Sequence, residues 1–216
     1  MWRFLSLTED GWCKNHGLQC VRLRPSGDKN PRVPKRCRAL VVDDESELAD
    51  LYELWLVDSY DVATAYGGDE ALERVDSATD IVLLDRRMPG VSGDEVLAGI
   101  RDRGLDCRVA MVTAVSPDFD VLGMAFDEYL SKPASSDELR AVADRLRRRH
   151  EYDETVRRYL ALLRKRALLE AEKPSEVLRS NDEYAALVAE IDALEADVGD
   201  RTPPEEVEQV TSRPGG

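Results

Sequence analysis

Long apolar runs are missing from this chain. None of its hydrophobic stretches approaches the roughly 20 residues that a membrane-spanning helix needs, and none resembles the apolar centre of a signal peptide. The expectation is a cytoplasmic protein with no membrane partner. Cysteine is sparse as well, and four of them (Cys13, Cys20, Cys37 and Cys107) in 216 residues do not suggest a disulfide scaffold. Positive charge is outnumbered, with 30 Lys and Arg against 44 Asp and Glu and a net charge of -14. An anionic surface of that kind keeps a protein soluble and opposes non-specific contact with nucleic acid. It also suits a cytoplasm of very high salt, where a Debye length of about 3 Å at 1 M screens the self-repulsion. What is present is a hydrophobic fraction of 43%, enough to fill the core of one ordinary domain and a smaller module.

The chain divides into four parts. Residues 1–38 form a basic arm punctuated by Pro25, Gly27, Pro31 and Pro34, which reads as irregular. Residues 39–148 alternate short apolar runs with helical patterns, the signature of an α/β domain whose parallel sheet is covered by helices on both faces. Strands are expected near Ala39 to Val42, Asp61 to Ala65, Ile81 to Leu84, Arg108 to Val112 and Glu128 to Leu130. Helices are expected near Ser46 to Val57, Gly68 to Val75, Gly93 to Arg103, Asp118 to Leu122 (a short piece), and from Ser136 onward. That last helix meets neither Gly nor Pro until Pro174, so it either continues as one rod or kinks near Arg149 and Asp153. A second helix is predicted to start at Ser180-Asn181-Asp182-Glu183, which has the form of a capping box, and to carry the apolar stripe Tyr184, Leu187, Ile191, Leu194 and Val198. Residues 149–200 thus read as a helical hairpin, and residues 201–216, rich in Pro, Glu and Gly, as a disordered tail.

The chemistry concentrates at the strand ends. Asp85 closes the run Ile81-Val82-Leu83-Leu84 and precedes Arg86-Arg87-Met88-Pro89-Gly90, which puts a carboxylate at the C-terminal end of a buried strand beside a turn. Asp43-Asp44 follow one apolar strand, Thr113 follows another, and Lys132 follows Tyr129-Leu130-Ser131. Parallel strands would gather all of these at one edge. Asp43, Asp44 and Asp85 form a knot of negative charge that is costly unless a hard cation with oxygen ligands sits among them, and Mg2+ is the obvious candidate. Asp85 would attack phosphorus, while Lys132 and the Thr113 hydroxyl would meet the charge developing on the phosphoryl oxygens.

Val41-Val42-Asp43-Asp44, Asp85 through Gly90, Thr113-Ala114 and Tyr129-Leu130-Ser131-Lys132-Pro133 together resemble the receiver domain of two-component response regulators. The resemblance implies a flavodoxin-like doubly wound sheet of strand order 2-1-3-4-5. It implies Asp85 as acceptor of a phosphoryl group from a sensor histidine kinase, and Mg2+ held by Asp44, Asp85 and the backbone carbonyl of Arg87, with Asp43 acting through water. Thr113 and Tyr129 match the family's switch pair, and a homodimer is implied on activation. Between Thr113 and Lys132 the chain is a few residues shorter than most receivers, with the loss falling on the fourth helix. The residues that follow are similar to the HalX domain of extreme halophiles, through Tyr159-Leu160-Ala161-Leu162-Leu163, Leu168 to Lys173 and Asn181 to Tyr184. That likeness implies control of transcription as the output. Phosphatases that also form an aspartyl phosphate carry a second Asp two residues after the nucleophile. Arg87 stands there, so self-phosphorylation and self-dephosphorylation are expected without turnover of a metabolite.

Two further patterns have competing readings. Cys13, His16, Cys20 and Cys37 offer four zinc ligands beginning C-x-x-H-x-x-x-C, but the last spacing is long, and a basic extension is the plainer account. Arg148, Arg149, Arg157, Arg158, Arg164, Lys165 and Arg166 make the first output helix basic and could contact DNA phosphates. Alternatively they pair with the acidic second helix, including Glu183, Glu190 and Glu195, and the module docks a protein or a second chain. No convincing helix-turn-helix pattern is visible.

Overall fold

A computed structural model describes residues 36–149 and 152–211. Residues 1–35 of the basic arm, with three of the four candidate zinc ligands, Cys13, His16 and Cys20, lie outside them, and the arm's last residue, Arg38, already belongs to the first strand. The fourth, Cys37, is a half-buried free thiol whose pKa burial pushes up to about 12.

Five parallel strands, β1 (Arg38–Val42), β2 (Asp61–Ala65), β3 (Ile81–Leu84), β4 (Arg108–Thr113) and β5 (Glu128–Ser131), form one sheet in the order β2-β1-β3-β4-β5. β3 and β4 are buried along their whole length. That is why they read as unbroken apolar runs rather than as alternation. Helices α1 (Ser46–Leu56) and α4 (Ser136–Arg149) pack on one face around Tyr52, Leu56, Leu139 and Leu146. Helices α2 (Gly68–Arg74) and α3 (Gly93–Asp102) cover the other, around Ala71, Val96 and Ile100. The start of α3 is fixed by a capping box in which Ser92 and Glu95 satisfy each other's backbone N–H groups.

Where a fourth helix would follow β4 there is only a 3-10 turn, Phe119–Gly123. The flank this leaves is occupied from the C-terminal side. Helix α5 (Glu154–Glu172) and the short α6 (Ser175–Arg179) insert Leu168, Leu169 and Leu178 into the same apolar cluster as Val109, Met111 and Phe126 of the sheet domain. The rest of α5, with α7 (Asp182–Val198) and α8 (Pro204–Thr211), builds a separate core from Val156, Leu160, Leu163, Leu187, Ile191 and Val210.

Of the two courses open to the long helix the structure takes the break near Arg149 and Asp153, because Asp153 caps a new helix by accepting from the N–H of Val156 at 3.0 Å. Three expectations need correcting. Ser180 does not open α7. Asn181 does, accepting from the N–H of Tyr184 at 2.7 Å, while the Ser180 hydroxyl donates to the carbonyl of Val177. The output module is more than a hairpin, since α6 and α8 join α5 and α7. The tail is not all disordered: Pro204 opens α8 with Glu205 and Glu206 in its first turn, where Pro and acidic residues favour a helix, and Val210 is fully buried. Among the described residues no helix is long and apolar enough to cross a membrane.

Candidate functional site

β1 and β3 are neighbours whose helices leave toward opposite faces, so a cleft opens at their C-terminal ends. Asp43 and Asp44 emerge there from β1, and Asp85 from β3. Asp43 and Asp85 are buried, and Asp44 is exposed. Lys132, at the end of β5, reaches both buried carboxylates. Its Nζ is 2.7 Å from Asp43 Oδ2 and 3.1 Å from Asp85 Oδ1. The second Asp85 oxygen, Oδ2, accepts from the backbone N–H of Arg87 at 2.9 Å. Burial raises the pKa of the Asp43 carboxyl, against the hydrogen bond and charge of Lys132, which lower it. Lys132 is itself opposed by burial, yet Asp43 and Asp85 carry its pKa upward, so the ammonium is held charged.

The turn after Asp85 is set by two glycines. Gly90 adopts a φ of +76°, which L side chains rarely take. Gly93 opens α3 so close to the strand end that a Cβ there would stand 2.1 Å from the Asp85 carbonyl oxygen. Arg86, buried, forks onto Asp94 of α3 at 2.9 and 3.0 Å and also grips Asp120 of the 3-10 turn. It ties together the three segments around the cleft. Beside it a concavity of about 580 Å3 is lined by Asp44, Arg87, Met88, Ser92 and Val115.

Thr113 is buried at the end of β4, and its Oγ1 accepts from the N–H of Val115 at 3.3 Å. The carbonyl of that same Val115 accepts from the Tyr129 hydroxyl. Thr113 and Tyr129 are therefore joined through one residue. Tyr129 is fully buried, and burial pushes its pKa up to about 12 despite the charge of Arg86.

Asp43, Asp44 and Asp85 offer only carboxylate oxygens, the donor type a hard divalent cation takes. Three carboxylates against the one ammonium that pairs with them leave two formal negative charges. The described residues hold no ready-made set of three or more His, Cys, Asp or Glu side chains placed for a metal. The residues fit Mg2+ by donor chemistry and by charge.

The proposed DNA-contacting residues fare differently. Arg149 and Arg164 are buried against Glu128 of β5, with Arg164 Nε 2.7 Å from its Oε2 and Arg149 Nη2 2.5 Å from its Oε1. Lys165 is buried too, donating to the carbonyl of Leu122 at 3.1 Å. These three are removed from any DNA-facing surface. Arg148 pairs with Glu206, Arg157 with Glu154 and Asp106, Arg158 with Glu190, and Arg166 approaches Glu170 at 4.0 Å. Two residues that matter here were not singled out by the sequence, Arg86 and Glu128. The available signal for Glu128 was a pair of carboxylates, Asp127 and Glu128, set among the apolar residues Phe126, Tyr129 and Leu130 at the start of a short strand.

Comparison with known proteins places two family models on the chain. Residues 39–144 match the response regulator receiver domain, and residues 148–210 match the HalX domain. A Haloferax volcanii protein named "Putative transcriptional regulator" is 48% identical over 159 residues, 73% of this chain and 27% of that protein. The transcriptional regulatory protein DltR of Streptococcus agalactiae is 38% identical over 109 residues, 48% of this chain and 49% of that one. The chain thus spans about a quarter and about half of these two relatives. Among solved structures, the "signal receiver domain of putative Luxo repressor protein" from Vibrio parahaemolyticus is 27% identical with a TM-score of 0.50, covering 54% of this chain and 93% of that one.

Proposed function

Residues 39–144 belong to the response regulator receiver family and residues 148–210 to the HalX family, and on that premise we propose that Asp85 accepts a phosphoryl group from a sensor histidine kinase and that the helical output passes the state on to control transcription. The observation that carries this reading is Lys132, whose ammonium sits 3.1 Å from one Asp85 oxygen while the Arg87 N–H holds the other. An Asp85 oxygen forms the new bond to phosphorus as the bond from phosphorus to the kinase histidine nitrogen breaks. Lys132 stays charged and stands where the transferred oxygens gain charge, and the Thr113 hydroxyl can turn toward them as a donor. Asp44, Asp85 and the Arg87 carbonyl, with Asp43 through water, would hold Mg2+, which would neutralise phosphoryl charge.

Transmission runs through Val115. If Thr113 turns toward the phosphoryl group, it gives up the Val115 N–H and frees the Val115 segment, on which the Tyr129 hydroxyl rests. Tyr129 adjoins Glu128, the residue to which Arg149 of α4 and Arg164 of α5 are anchored. A shift in β5 is thus felt at the root of the output helices.

A second reading is favoured by the internal pairing of the basic residues: the module relays by protein contact, without DNA. Incubation with acetyl phosphate and Mg2+ should add one phosphoryl group by mass spectrometry and none to Asp85→Asn. No addition, or addition that survives the substitution, overturns the phosphoacceptor reading. Binding to host-genome duplex DNA across a salt series, with and without beryllofluoride, separates the outputs. Sequence-selective binding that survives high salt and responds to the mimic supports transcription control, and binding lost with salt regardless of sequence supports docking.

A further inference from the structure

A cleft of about 560 Å3 lies between the receiver and the output helices, far from the chemistry at Asp85. Arg108 and Phe126 wall it from the sheet side, and Arg157, Lys165 and Glu190 from the helices. Its charge runs against that of the molecule. Five cationic side chains line it against four acidic ones, an excess of one positive charge in a chain of net -14. The four acids are all engaged: Asp127 with Arg101 at 3.2 Å and Arg108 at 3.4 Å, Asp106 with Arg108 and with Arg157 at 3.6 Å, Glu154 with Arg157, and Glu190 with Arg158.

Among the described residues Lys165 is the lining cation without an ion pair. It is 7% exposed, its Nζ donates to the Leu122 carbonyl, and the Phe126 ring centre lies 5.6 Å away. Burial pulls its pKa down, against the charges of Glu190 and Asp127, which raise it. Two more donors in the lining, Arg108 Nε and Arg157 Nε, are buried without a hydrogen-bond partner. Around these cations the wall is apolar, formed by Leu122, Phe126 and Leu162.

We propose that this cleft binds a small organic monoanion, a carboxylate carried on an apolar or aromatic body. The carboxylate sits at Lys165 and Arg157, and the body lies against Phe126 and Leu162. One excess charge selects a monoanion, and the apolar wall selects against a bare inorganic ion. Because both modules contribute walls, the ligand binds only while they are docked and holds them so, which makes it an effector of output independent of Asp85.

The test uses the full chain at low salt, with benzoate as the probe and benzamide as its neutral counterpart, followed by calorimetry and by amide chemical shifts. Saturable binding of benzoate, with shifts at the cleft and little response to benzamide, is the expected result. Lys165→Met should remove it. Glu190→Gln, which raises the excess charge, should tighten it about threefold, and Arg158→Gln at an exposed position should weaken it by a similar factor. The last two report even if the Lys165 variant does not fold. Equal responses to benzoate and benzamide, no saturable binding, or a Glu190→Gln variant that binds more weakly would overturn the proposal.

Discussion

Gly93 and Glu128 show how single residues hold this molecule to its geometry. With a Cβ at residue 93 only 2.1 Å from the Asp85 carbonyl oxygen, Gly93→Ala must push α3 away from the strand end. The expected cost is about 1–3 kcal/mol by urea unfolding, with slower labelling of Asp85 by acetyl phosphate. Unchanged stability and labelling would contradict the close approach. Glu128 is fully buried, and burial alone would raise its carboxyl pKa. The guanidinium groups of Arg149, Arg164 and Arg145 outweigh that and hold it at about 2. The folded value lies below the ordinary 4.5, so this stabilisation is complete above about pH 4.5 and drains away as pH falls toward 2. Glu128→Gln leaves buried guanidiniums without their counter-charge and should cost about 3–5 kcal/mol at neutral pH. The same variant should lose less stability than the native chain on acidification, and a parallel loss in both would argue against Glu128 as the titrating group.

Among the elements, α8 is the one that composition hides. Val210→Asp would place a carboxylate in the core shared by α5 and α7, where Val210 is fully buried. Thermal unfolding should shift down by the equivalent of about 3 kcal/mol or more. An unchanged melting temperature would mean that α8 is not docked in solution. The strands were legible because both faces of the sheet are covered, so β1, β3 and β4 appear as apolar runs that lead into the candidate site residues Asp43, Asp85 and Thr113. Helix α7 was legible through Tyr184, Leu187, Ile191 and Val198, but Ser180 and Asn181 are both good caps, and only the path of the preceding α6 decides between them. The basic stretch of α5 misled for a related reason. Periodicity shows that Arg164 and Lys165 are on a helix, while their burial depends on Glu128 and Leu122, residues 36 and 43 positions away. Long-range charge pairing of that kind leaves no local trace.

Taken as a whole, the molecule carries a net charge of -14, which repels itself in dilute buffer. Raising salt from about 0.1 M to about 1 M shortens the Debye length from about 10 Å to about 3 Å, so the melting temperature should rise over that range. The Glu128→Gln deficit should persist at both ends, because the cluster is shielded from ions by burial. A melting temperature that falls with salt would mean that surface ion pairs outweigh the net repulsion. The seam between the two families, meanwhile, is not a place where the chain comes apart. Leu168, Leu169 and Leu178 share a cluster with Val109, Met111 and Phe126, so a fragment that stops at residue 147 would lay bare an oily flank beside the 3-10 turn. It should bind a hydrophobic dye and aggregate, whereas the full chain should melt in one step. For anyone grafting outputs between receivers, the transferable cassette must take Phe119–Gly123 along with the helices, because the short turn and the module that covers it are halves of one joint.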